Sequence, residues 1–104
     1  MSDYLSLCKV KIDFELGARN PGSHFKIGKT SNYEERMRQN DYVHYTQKKC
    51  IFRSEFKELI DHLEIDLINH YKNESRYSDY CDNEQVGGGE MQDSEEYYIY
   101  LVIE

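Results

Sequence analysis

The sequence predicts an α+β fold: a small, mostly antiparallel sheet flanked by helices, in the order β-β-α-β-α-β. Three patterns point to it. Apolar and polar residues alternate from Lys9 to Phe14, apolar residues recur every three or four positions from Phe56 to Tyr71, and Tyr97 to Ile103 is an apolar run rich in aromatic and β-branched residues. At 104 residues the chain is expected to form one domain over 1–104, large enough for a single core.

The first strand is placed on Val10, Ile12 and Phe14, which alternate with Lys9, Lys11 and Asp13. Asn20-Pro21-Gly22-Ser23 is a turn cluster, and a second alternating run, His24 to Gly28, follows it. Two such runs around a turn predict an antiparallel hairpin. Thr30, Ser31 or Asn32 caps a helix of about Tyr33 to Gln39, with Glu34 and Glu35 where acidic groups complement the helix dipole. Lys49 to Phe52 is a short strand. Ser54 is read as the cap of the long helix, whose stripe is Phe56, Leu59, Ile60, Leu63, Leu67 and Tyr71, ending near Asn73. Residues 74–96 read as loop, with Gly87-Gly88-Gly89 as a turn positioning Glu90, and Tyr97 to Ile103 as the last strand.

Composition narrows the function. No apolar run nears the roughly 18 residues that span a bilayer, and Met1 to Leu5 lacks the basic start of a secretory signal. Three dispersed cysteines, Cys8, Cys50 and Cys81, argue against a disulfide framework or a Cys-x-x-Cys zinc site. The expectation is an intracellular protein, cytoplasmic or nuclear, that is not secreted and has no membrane partner. The net charge of −7 is unevenly spread. Residues 19–57 carry nine basic and four acidic groups, net +5, and residues 58–104 carry two basic and thirteen acidic, net −11. A basic segment of this kind is compatible with a local phosphate-facing surface, though charge alone favours two ordinary solvated faces.

Phe25-Lys26-Ile27-Gly28-Lys29-Thr30, followed by Arg36, then Glu64, then Gly87 to Glu90 and an aromatic strand, resembles the GIY-YIG endonuclease superfamily. The similarity is to its phage and large-virus branch, whose second strand reads Tyr-Lys-Ile-Gly-x-Thr, and it covers about residues 24–103. It implies a divalent-metal-dependent DNA endonuclease that hydrolyses phosphodiester bonds, of a viral or phage type. Glu64 would bind one Mg²⁺ or Mn²⁺, Arg36 the phosphate, and Lys26 and Tyr4 would lie near the nucleophile. Lys29, Arg38 and Gly28 would face nucleic acid, and Glu90 would support the site. Glu64 lies beside Ile60, Leu67 and Ile68 at the edge of the helix stripe, where a carboxylate requires an ion pair or a cation. In the strand, Phe25 and Ile27 face the core, and Lys26 and Gly28 the opposite side.

The chain departs from the pattern in having no Gly-Ile-Tyr sequence; Tyr4 is its only tyrosine before residue 33. The alternative is a catalytically degenerate module of the same fold that binds nucleic acid or a protein partner. The acidic second half predicts that DNA binding by the chain alone is weak and salt-sensitive.

Overall fold

The computed structural model describes residues 2–84 and 90–104, excluding the side chains of Ser2 and Asp3. Its elements are α1 (Ser2–Gly17), β1 (Phe25–Thr30), α2 (Tyr33–Met37), a 3₁₀ turn at Asn40–Tyr42, β2 (Gln47–Ser54), α3 (Lys57–Asn73), a second 3₁₀ turn at Ser78–Tyr80, and β3 (Tyr97–Ile103). They form an α+β domain around a three-stranded antiparallel sheet of order β1-β3-β2. Gly87-Gly88-Gly89 lies outside the described residues.

The expected first strand is corrected to a helix, and the hairpin with it. Leu5, Cys8, Ile12 and Leu16, at three- and four-residue spacing, turn one stripe of α1 inward; Cys8, Ile12 and Leu16 are wholly buried. Val10 and Phe14, which the alternation paired with Ile12, are 66% and 75% exposed. Two apolar stripes share this segment, and only the helical one reaches the core. Asn20 to Ser23 is a turn, closed by Ser23 N–H donating to Asn20 O over 3.1 Å, with Gly22 at φ +84° after Pro21. That conformation belongs to a type II turn, where glycine fits best. The turn joins α1 to β1.

The later elements follow their local chemistry. Asn32 caps α2, its side chain accepting from Glu35 N–H at 3.2 Å. The cap of α3 is Phe56, and Ser54 Oγ instead accepts from Phe56 N–H at 3.0 Å, bending the chain from β2 into the helix. In α3, Ile60, Leu63, Leu67, Ile68 and Tyr71 pack with α1 against Phe25, Ile27, Ile51, Ile99, Leu101 and Ile103 on one face of the sheet. Tyr71 anchors the two helices, its hydroxyl donating to Asp13 Oδ1 at 2.7 Å. The other face carries Tyr100 and Val102, covered by Met37, Tyr42 and Tyr45. No helix among the described residues is long and apolar enough to cross a membrane.

β3 is central, so β1 and β2 are edges. Beyond β1 the chain returns after the second 3₁₀ turn. Cys81 makes a parallel bridge to Phe25, and Asp82 N–H donates to Phe25 O at 2.8 Å. The buried Asn83 side chain then completes the edge: its Oδ1 accepts from Ile27 N–H at 3.0 Å and its Nδ2 donates to Ile27 O at 2.7 Å. An amide side chain offers the same donor and acceptor pair as a strand, and satisfies backbone groups that would otherwise be buried unpaired.

Candidate functional site

Strand parity decides what faces what on β1. Phe25, Ile27 and Lys29 turn toward α3, and Lys26 and Gly28 toward the opposite face. Gly28 is opposite Tyr100 in the β1–β3 register, and the Tyr100 ring lies across the space a side chain at Gly28 would fill. The glycine permits a close approach, but the group that approaches is a tyrosine of the same chain and not the nucleic acid that Gly28 was expected to face. Tyr100 is 1% exposed, and its hydroxyl is hydrogen-bonded to that of Tyr42.

Around this pair opens a cavity of about 480 Å³ whose lining includes Lys26, Gly28, Arg36, Tyr42, Glu64 and Tyr100. A neighbouring cavity of about 290 Å³ shares Arg36 and Glu64 and adds Lys29 and Glu90. Arg36 from α2, Glu64 from α3 and Gly28 from β1 thus line one cavity, although 28 residues separate the two charged groups. Glu64 is 5% exposed, and Lys29 Nζ lies 3.6 Å from its Oε1. Arg36 stands with its guanidinium carbon 5.7 Å from the centre of the Tyr42 ring, and one of its terminal nitrogens donates to Gln39 Oε1 at 2.9 Å. Its Nε is buried and has no hydrogen-bond partner among the described residues. A buried charged donor without a partner is costly, and its natural complement is an anionic oxygen. Lys26 Nζ is 5.4 Å from the other ring contact, again Tyr42.

Burial, and then the adjacent Tyr42 hydroxyl, drive the ionisation of Tyr100 far above the ordinary tyrosine range; Glu64 pushes the same way and Arg36 opposes. Tyr100 therefore stays protonated at any physiological pH. Its protonated phenol can donate a hydrogen bond or pass one on through Tyr42.

Several expected positions lie elsewhere. Tyr4 sits on α1, 45% exposed, with its ring 5.5 Å from that of Phe52, and lines neither cavity. Its placement near a nucleophile assumed that the first segment was a strand. Lys29, expected to face nucleic acid, is buried, because its parity matches Phe25 and Ile27; its Nζ lies 2.7 Å from Asp61 Oδ1. Arg38 is exposed beside Glu34, at 3.7 Å. Tyr42 and Asn83 were not singled out from the sequence, and Tyr100 only as part of the aromatic last strand. Tyr100 had a signal in its parity within the last strand, but its partner across the sheet follows only from the strand order.

Comparison with known proteins gives no match: no family model fits the chain, and neither the curated proteins nor the solved structures yield a similar one.

Proposed function

We propose that the chain is a phosphodiester hydrolase acting on DNA with a divalent cation, built on a GIY-YIG-like domain in which Tyr100, from the last strand, stands where the family uses a first-strand tyrosine. The observation that carries this reading is the shared cavity lining of Arg36, Glu64, Tyr100 and Gly28, with the Arg36 Nε buried and unpartnered. In it, Arg36 seats a phosphate oxygen. The protonated Tyr100 hydroxyl, steadied by Tyr42, orients the attacking water by hydrogen bonding. Lys26 offsets negative charge on the flanking phosphate.

The donor set at Glu64 suits Mg²⁺ or Mn²⁺: one buried carboxylate facing an open cavity, with room for water and phosphate oxygens to complete the shell. The ion would offset charge that develops on the phosphate. Lys29 Nζ, 3.6 Å from Glu64 Oε1, adds positive charge beside that carboxylate.

The same Lys29–Glu64 contact favours a second reading, a binding module without catalysis, since an ammonium already neutralises the carboxylate a cation would need. Supercoiled plasmid with Mg²⁺ or Mn²⁺ separates the two. Hydrolysis predicts metal-dependent nicking that Glu64→Ala and Arg36→Ala each abolish. The binding module predicts retained, salt-sensitive DNA binding and no nicking by the unaltered chain. Nicking that survives Glu64→Ala overturns the hydrolase reading, and nanomolar binding indifferent to salt contradicts the weak affinity expected from the acidic half.

A further inference from the structure

We propose that His44, Asp82 and Glu104 form a site for a transition-metal dication of the Zn²⁺ class, with a ligand set that does not use Glu64, although His44 and Asp82 line the same cavity. One donor atom from each lies within 4.8 Å of those of the other two. The three come from remote segments: His44 from the loop before β2, Asp82 from the stretch bridging the β1 edge, and Glu104 from the end of β3.

The chemistry of the set selects the ion. One imidazole nitrogen with two carboxylates is a mixed N and O set, which Zn²⁺ and its neighbours accept, whereas Mg²⁺ and Ca²⁺ prefer oxygen alone. Two carboxylates balance the charge of a dication. Zn–N and Zn–O bonds of about 2.0–2.2 Å bring ligand atoms to roughly 3.3 Å from one another. The donors must therefore close in modestly. His44 and Glu104 are exposed side chains with freedom to do so.

Asp82 is the fixed member. Its Oδ1 is hydrogen-bonded to His24 Nδ1 at 2.8 Å, and its Oδ2 accepts from the Tyr45 hydroxyl at 2.6 Å. These contacts hold the carboxylate in one orientation and leave each oxygen a further lone pair. Glu104 is steered by β-type contacts at the strand end: its Oε1 accepts from His24 N–H at 3.0 Å, and its own N–H donates to His24 O at 2.9 Å. Outer groups that pin a ligating carboxylate are a regular part of metal sites. A bound ion would tie the end of the central strand to the two segments beside it.

The test is titration of tag-free full chain with Zn²⁺ against a chromophoric chelator, with Co²⁺ as an optical probe and the melting temperature as a second readout. One equivalent of Zn²⁺ is expected, undisturbed by millimolar Mg²⁺, with a visible Co²⁺ absorption band and a melting temperature raised by several degrees. His44→Ala and Glu104→Gln, both at exposed positions, should each weaken Zn²⁺ at least tenfold and abolish the thermal shift. Glu64→Gln and Cys50→Ser should leave both unchanged, which makes the result independent of the hydrolase reading. Sub-stoichiometric binding, affinity unaltered by His44→Ala or Glu104→Gln, or loss of binding in Cys50→Ser or Glu64→Gln overturns the proposal.

Discussion

Gly28→Ala is the sharpest single perturbation of this molecule, because two lines of reasoning give it opposite signs. Glycine within a strand has a conformational cost, and alanine there would stabilise the fold by about 0.5–1 kcal/mol if nothing obstructed it. The Tyr100 ring obstructs it. A β-carbon at residue 28 falls well inside contact range of the Tyr100 hydroxyl and Cζ, and 2.9 Å from Cε1. Carbon contacts are comfortable at about 3.5–4.0 Å, so the ring must retreat by more than about 1 Å. Burial on the central strand and the bond to Tyr42 oppose that retreat. Overpacking of this kind costs about 1–3 kcal/mol, and the crowding here belongs at the upper end. The net loss expected is about 2 kcal/mol, or roughly 8–16 °C in melting temperature for a domain of this size. Urea and thermal denaturation followed by circular dichroism measure it. The control is Tyr100→Val, which removes the ring; in that background Gly28→Ala should be neutral or slightly stabilising. Equal or greater stability of Gly28→Ala in the unaltered background refutes the packing of Tyr100 over Gly28, and with it the geometry of the site.

Phe14→Ser should change stability by less than about 0.5 kcal/mol, whereas Leu16→Ala should cost about 2–5 kcal/mol, and urea midpoints that reverse this order would restore the strand reading of the first segment. Asn83→Ala leaves both Ile27 backbone groups unpaired at the sheet edge and should cost about 2–4 kcal/mol, again from urea midpoints. Tyr71 and Tyr100 have ionisations raised first by burial, and the Cys8 thiol is pushed up to about 11 for the same reason. Each group keeps its proton in the folded state longer than in the unfolded chain, so stability is full at lower pH and falls as the unfolded groups ionise, from about pH 9 for the thiol and about pH 10 for the tyrosines. A urea midpoint that stays level to pH 11 contradicts this. A thiol reagent at pH 8 should modify the exposed Cys50 first and Cys8 only on unfolding.

Where local chemistry dominates, the sequence was readable. The boundaries of β3 were legible from its apolar run, α3 from its stripe, and the start of α2 from the capping candidates Thr30, Ser31 and Asn32 ahead of Glu34 and Glu35, of which Asn32 is the cap. The inward parity of Phe25 and Ile27 was legible too. What was not legible has two sources. In α1, Val10 and Phe14 are exposed apolar residues that counterfeit a period of two, and they masked the spacing of Leu5, Cys8, Ile12 and Leu16. The pairing of Tyr100 with Gly28 joins residues 72 positions apart through a strand order, β1-β3-β2, that no local pattern encodes.

That strand order carries a consequence for biosynthesis. β1 and β2 emerge from the ribosome first and share no ladder with each other; both wait for β3, the latest of the three to be made. Until it inserts between them, neither strand has another strand to form a ladder with, Tyr100 has not covered Gly28, and the three-stranded sheet cannot form. Assembly is thus deferred to a single late docking event, leaving a window in which chaperones or truncation would act most strongly.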